Sequence, residues 1–144
     1  FDVCIAGSGL YGSILASILS KQGLDVLLLE PGRHPRFSLG EALLPQSAIW
    51  PFMLSERYEV PEIGHLSHAD RIVDHVTPSC GLKHSIGFAH HSEGEPLDAS
   101  RLQQLVPPHM PFYSESHLYR EEVDHFMVRT AAEYGSQSNS TRMA

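Results

Sequence analysis

"AGSGLYGSILASILSKQGLDVLLLEPG" spans residues 6–32, and the rest of the chain is read outward from it. Glycines stand at 7, 9 and 12, between the apolar run "FDVCIA" (1–6) and apolar residues at helical spacing: Leu10, Ile14, Leu15, Ile18 and Leu19. Gly23 follows as the expected C-terminal cap of that helix. "DVLLLE" (25–30) then reads as a second strand, too uniformly apolar to have a wet face, and Pro31 and Gly32 stop it. The order is strand, glycine turn, helix, strand. The handedness rule for such connections makes it a right-handed parallel unit.

A Gly-x-Gly-x-x-Gly by itself is weak, but here the strand before it, the helix opening on it and the strand after it are all present. Gly7 permits the tight turn, Gly9 lets a pyrophosphate approach the backbone, and Gly12 lets helix and strand pack closely. Ser8, Leu10 and Tyr11 complete the turn, whose helix N-terminus offers free amides and the positive end of a dipole to phosphate. Glu30 falls 18 residues after Gly12, at the strand end, where a carboxylate can accept hydrogen bonds from the ribose 2′- and 3′-hydroxyls and would repel a 2′-phosphate. The turn therefore reads as a dinucleotide site for FAD or NAD, with NADP disfavoured.

Composition bounds the rest. The chain has 144 residues, 42% apolar and 19% charged, which suits one globular domain. Its formal net charge of −7 argues against nucleic acid and anionic membranes, which need clustered Lys and Arg. No run approaches the ~18 consecutive apolar residues of a membrane span, and no secretion pattern opens the chain. Cys4 and Cys80 are expected to be inert reduced thiols, Cys4 within a buried strand, and the compartment is expected to be cytoplasmic. A first residue of Phe1 suggests numbering that begins inside a longer protein.

Beyond residue 32, "RHPRFSLGEALLP" (33–45) reads as a loop into a helix near 46–58 that contains, or is broken by, Pro51. Residues 59–80 read as irregular, with strand character in "RIVDHVT" (71–77). "KHSIGFAHH" (83–91) reads as a strand, with Ile86 and Phe88 on one face, followed by loop to about 116 with a short helix near 99–105. "REEVDHFMVRTAAEYG" (120–135) is a helix with an apolar stripe of Val123, Phe126, Met127, Ala131 and Tyr134, ended by Gly135. The polar "SQSNSTRMA" (136–144) is read as a tail outside the fold: a linker, a frameshifted end or a foreign remnant. The expected division is thus 1–135, an incomplete nucleotide-binding domain of α/β class, and 136–144, a disordered or non-native tail.

The glycine turn, Glu30 and "HPRFSLGEALLP" together resemble the FAD-dependent halogenases and their relatives, the flavoprotein monooxygenases and geranylgeranyl reductases. In that group the pattern is close to Pro-Arg-x-x-x-Gly-Glu-Ser/Ala-x-x-Pro, matched by Pro35, Arg36, Gly40, Glu41, Ala42 and Pro45. The resemblance implies the N-terminal portion of a Rossmann-like FAD-binding domain of the glutathione-reductase or hydroxylase type, with this loop beside the flavin. "LYREEVDHFMVRTAAEYG" (118–135) resembles a second segment of the group, which sets Arg120 against the FAD phosphate or ribityl region. An Arg at a helix N-terminus opposes the dipole unless an anion is near.

"GLKHSIGF" (81–88) resembles the halogenase segment that carries the active-site lysine, with Lys83 in its place and Leu82 where the family has an aromatic residue. The resemblance then implies that reduced FAD from a flavin reductase, O2 and halide give hypohalous acid. Lys83 would hold or relay the halogen to an electron-rich small-molecule substrate. The spacing from Glu41 to Lys83 departs from the tryptophan halogenases, which puts free tryptophan in doubt as substrate. The family's Trp-x-Trp-x-Ile-Pro segment and second FAD motif do not occur. Alternatives are a flavin monooxygenase or reductase without halogenation, a non-catalytic truncated nucleotide-binding fragment and, third, a plain NAD module. The ten histidines show no ligand spacing: His90 and His91 would point to opposite strand faces, and neither His65/His68 nor His117/His125 is placed to chelate. No metal is expected. Oligomeric state is not read.

Overall fold

The computed structural model of the chain describes residues 1–106 and 116–140. β1 (Val3–Ala6) leads through the glycine turn into α1 (Leu10–Lys21) and returns as β2 (Val26–Glu30). The two strands pair in parallel, Val3 opposite Val26 through Ala6 opposite Leu29, as the apolar pattern predicts. Gly23 takes φ +87° just after α1, the left-handed conformation that lets the chain reverse without a Cβ penalty.

Two clusters form the core. Val26 and Leu28 of β2 face Ala16 of α1 and Ala131 of α5 (Arg120–Glu133), with Ile5 and Leu19 beside them. The other side of α1, through Leu10, Ile14 and Ile18, packs on Val123 and Met127 of α5, on Leu118, and on Val60, Ile63, Leu66 and Ile72. These last four come from the segment of α3 (Pro61–Gly64), a 3-10 turn (His65–Ser67) and α4 (Ala69–His75), with Val60 just ahead of it.

Several expectations give way here. Residues 71–77 are helix for most of their length rather than strand. Ile72 and Ala69, three apart, put one buried face on the core while Val73 and Asp74 face out, a helical arrangement hidden by β-branched residues. Pro51 lies inside α2 (Pro45–Tyr58) without ending it. The strand read over 83–91 is reduced to β4 (Ile86–Phe88), which pairs antiparallel with β5 (Gln103–Leu105), and Phe88 is exposed. The short helix near 99–105 is one 3-10 turn, Ala99–Arg101, ahead of β5. Cys4 is exposed, and β2 alternates between fully buried Val26 and Leu28 and half-buried Leu27 and Leu29, because the described helices cover one face of the sheet.

The tail also enters the fold. Gln137–Ser140 form β7, which pairs in parallel with β2, Leu27 opposite Gln137 through Glu30 opposite Ser140, giving the strand order β1-β2-β7. The boundary expected at residue 135 is therefore a turn, with Gly135 at φ +105°, rather than the end of the domain. Residues 107–115 of the expected loop and 141–144 of the expected tail lie outside the described residues.

A second construction joins the middle of the chain. β3 (Gly81–Leu82) pairs antiparallel with β6 (Ser116–His117). On the other side of β6, Ala42 bridges His117, Leu43 N–H donates to Ser116 O and Leu118 N–H donates to Glu41 O. The "GEALL" loop is thus pinned to β6, and β6 to the strand that precedes Lys83. No helix among the described residues is long and apolar enough to cross a membrane.

Candidate dinucleotide site at the glycine turn

The turn is built as its glycines require. Gly7 takes φ +103° and donates its N–H to Leu29 O at 2.7 Å, carrying the β1–β2 ladder into the turn. A Cβ on Gly12 would lie 2.0 Å from Gly7 O, so only glycine lets α1 start this close to the strand. Gly9 differs: a Cβ there would meet nothing nearer than three side-chain tips at 3.9 Å, Arg36 Nη2, Arg120 Nη2 and Asp124 Oδ2. Gly9 is also the N-cap of α1 with no side chain capping it, so the first amides of the helix face outward beside two guanidinium groups. Leu10 is buried in the core and Tyr11 is exposed, so these two contribute backbone to the turn.

Glu30 is the hub of the site. Its Oε2 accepts from Ser8 N–H and the Ser8 hydroxyl, both at 3.0 Å, and from Arg36 Nη2 at 3.1 Å, while Oε1 accepts from Gly32 N–H at 3.0 Å. Burial pushes its carboxyl up, but the hydrogen bonds from Ser8 and Gly32 and the Arg36 charge outweigh that and hold it down at about 2. With Oε2 accepting three donors, Oε1 keeps the lone pair open to a ribose hydroxyl.

The two arginines arrive from distant parts of the chain. Arg120 forms a two-pronged pair with fully buried Asp124, Nε to Oδ1 at 2.7 Å and Nη2 to Oδ2 at 3.0 Å, four residues on along α5. Its Nη1 donates to Leu39 O at 2.8 Å and Gly40 O at 3.3 Å, in contact with Gly40, which takes φ +99°. The anion that an Arg at a helix start calls for is thus supplied within the chain by Asp124. Of the five N–H groups of a guanidinium, one on Arg120 Nη2 has no partner in these bonds. Arg36 Nε is buried without a partner, as are Nδ1 of His34 and of His125. His34 Nε2 lies 2.7 Å from the Ser8 hydroxyl, and its ring stacks toward His125 at 6.5 Å. An open backbone at Gly9, unspent N–H groups on two guanidiniums and a carboxylate at the strand end fit the diphosphate and ribose of a dinucleotide.

Glycines 7, 9 and 12, Ser8, Glu30, Arg36, Gly40 and Arg120 are therefore brought together. Glu41 and Ala42 lie along the same loop, but the Glu41 side chain accepts from Gly40 N–H at 3.1 Å, and Ala42 serves the bridge to β6. Lys83 stands apart from the turn. Only 6% exposed, it donates from Nζ to Leu43 O at 2.6 Å, at the far end of the loop that Arg36 begins. A cavity of about 230 Å3 adjoins the Leu43 end of that loop, with Leu10 and Tyr11 from the turn's helix, and Trp50 and Leu54 from α2, also in its lining. Sequence reasoning missed His34, Asp124 and His125 as members of the site; the four-residue spacing of Arg120 and Asp124 was the one available clue. Among the described residues no group of three His, Cys, Asp or Glu side chains is placed to hold a metal ion.

Residues 5–42 match the family model described as an NAD(P)-binding Rossmann-like domain. Over 135 residues the chain is 37% identical to monodechloroaminopyrrolnitrin halogenase PrnC of Pseudomonas fluorescens and, separately, to the tetracycline 7-halogenase of Kitasatospora aureofaciens. Each alignment covers 94% of this chain and 24% of the relative, so the chain spans about a quarter of the length of the curated relatives it matches. Among solved structures, the halogenase PltM in complex with phloroglucinol and FAD superposes with a TM-score of 0.84 at 40% identity, over 96% of this chain and 27% of that one. By sequence and by fold, the chain is a Rossmann-like region homologous to the N-terminal quarter of the flavin-dependent halogenases.

Proposed function

We propose that this chain is the FAD-binding region of a flavin-dependent halogenase that uses reduced FAD, O2 and a halide to halogenate an electron-rich organic substrate. The observation that carries the reading is the convergence on Gly9 of open backbone, Arg36 and Arg120, with Glu30 at the adjoining strand end. The amides of the glycine turn and the start of α1 hold the diphosphate, Glu30 takes the adenosine ribose, Arg36 and Arg120 offset the phosphate charge, and the Gly40–Ala42 loop runs beside the flavin. When bound, reduced FAD supplies the electrons that activate O2 toward halide; a flavin reductase is the partner that delivers it.

Lys83 is the residue proposed to receive the electrophilic halogen and pass it to substrate. In support, its side chain is buried rather than waving in solvent, and Leu43 O holds the amine in one orientation. The cavity beside Leu43 is apolar enough to accept an aromatic ring. The setting proposed is the cytoplasm, in keeping with two cysteines that are both free.

The test is FAD binding by the purified protein, followed through quenching of flavin fluorescence, together with product analysis with and without halide. Saturable binding that weakens in Gly9→Ala and Glu30→Ala, and product whose formation requires halide, are the expected results. Oxygenated product without halide would make the protein a monooxygenase instead. No binding at tens of micromolar FAD would remove the flavin reading altogether.

A further inference from the structure

His34 has no part in the family pattern that drew attention to its segment, yet it touches the glycine turn directly. Its Nε2 lies 2.7 Å from the Ser8 hydroxyl, which is itself 3.0 Å from Glu30 Oε2. Ser8 has one hydroxyl proton to give. Glu30 is ionised and can only accept, so when the hydroxyl points to Glu30 the imidazole must donate from Nε2. The lone pair of a neutral ring then sits on Nδ1, which is buried and has no partner.

Four charged or titratable groups face this ring. Arg36 on its own loop and His125 from α5 oppose a second proton; Glu30 from β2 and Asp124 from α5 favour one. Both carboxylates are already engaged, Glu30 by Arg36 and Asp124 by Arg120. Burial, first, and Arg36, second, accordingly hold the ring below the ordinary imidazole range. An anionic diphosphate at Gly9 would lie against the guanidinium tips of Arg36 and Arg120, offset the charge that opposes the imidazolium, and make a proton on Nδ1 favourable.

We propose that His34 takes up a proton when the dinucleotide binds at the glycine turn, so that cofactor affinity rises as pH falls. This inference rests on the flavin-site reading above. Binding and protonation are reciprocal, so a ligand that raises the ring's proton affinity binds more tightly wherever the free ring is neutral and the bound ring is charged. The diphosphate bridge of FAD has no proton to exchange near neutral pH, which leaves the protein as the source of any slope. His34 acts through Ser8 and through charge; it is a positioning residue.

The experiment measures the FAD dissociation constant of the purified protein from pH 5.5 to pH 8. Proton uptake is read in parallel by calorimetry in buffers of differing ionisation enthalpy. Each unit by which binding raises the ring's proton affinity yields about a tenfold stronger affinity at the acidic end. The wild-type protein should weaken by about tenfold across the range and take up a fraction of a proton. His34→Gln keeps a donor for Ser8 but cannot titrate, and should bind with a flat profile. His90→Gln, at an exposed histidine outside the site, should retain the wild-type slope. A slope equal in wild type and His34→Gln, or one lost in His90→Gln instead, overturns the assignment. FAD binding that is pH-independent in the wild type overturns this inference alone. Absence of FAD binding at every pH overturns it together with the flavin reading.

Discussion

Lys83 Nζ donates to the carbonyl oxygen of Leu43 across 2.6 Å, joining residues forty apart. The bond ties the lysine to the loop that begins at Arg36 and carries Gly40 and Glu41. If Lys83 handles the electrophilic halogen, Lys83→Ala in the enzyme should lower halide-dependent product formation by about 100-fold or more while the FAD dissociation constant changes less than about threefold. Lys83→Arg should not restore activity, because a planar, delocalised guanidinium does not present the compact amine of lysine. A variant that loses FAD binding in proportion to product would assign Lys83 a structural role instead. Turnover and flavin quenching on the same preparation separate the two.

Gly12 and Gly9 belong to one motif but should respond oppositely to alanine. The Cβ of Gly12→Ala would sit 2.0 Å from Gly7 O, so backbone must move, and a loss of at least about 1–3 kcal/mol is expected in urea melts. Gly9→Ala has room at 3.9 Å and should melt within about 0.5 kcal/mol of the wild type, while its methyl group keeps a phosphate from the backbone. Equal melting of the two variants would contradict this division of labour.

Asp124 is fully buried and balanced by Arg120. Removing one partner of such a pair leaves an uncompensated buried charge, so Asp124→Ala should cost about 3–5 kcal/mol. The double variant Asp124→Leu with Arg120→Met should recover most of that stability and still lose the tether from α5 to Leu39 and Gly40. Limited proteolysis near residues 36–44 should then accelerate in the double variant. Unchanged cleavage there would mean that β6 alone holds the loop.

Stability should fall on acidification in two stages. Burial, as the leading cause, lowers the proton affinity of His34, His65 and His68 in the fold, so they stabilise it while neutral. That contribution is present above the unfolded imidazole range and is lost as pH drops through the folded values. Glu30 is held at about 2 against an ordinary 4.5, so its contribution, on the order of 3 kcal/mol, is complete above 4.5 and lost between 4.5 and 2. Thermal midpoints at pH 8, 6, 4 and 3 should decline throughout, and Glu30→Gln should flatten only the most acidic step. A midpoint unchanged from pH 8 to pH 4 would contradict the histidine part.

Local chemistry made the first thirty residues legible. A strand packed on a core must be apolar on the face it buries, a helix repeats near four, and a turn with positive φ at residue 7 or a Cβ clash at residue 12 admits only glycine. The helix from Arg120 could be read for the same reason, since its apolar stripe is a property of one segment. β7 was illegible because "QSNS" has no strand-like side chains; it joins the sheet through backbone bonds to β2, which no side-chain pattern reports. Residues 71–77 misled because β-branched Ile72 and Val73 suit a strand, whereas packing of Ile72 against α1 and α5 selects a helix.

By itself, then, the sequence determined the βαβ unit, the glycine turn with its open backbone at Gly9 and the carboxylate at residue 30, each set by contacts within thirty residues. Only the tertiary structure decided that Asp124 answers Arg120, that His34 sits on Ser8, and that Lys83 is buried against Leu43. Those pairings depend on where α5, the 33–44 loop and β6 meet in space, and a partner's distance is carried by the packed chain rather than by spacing along it.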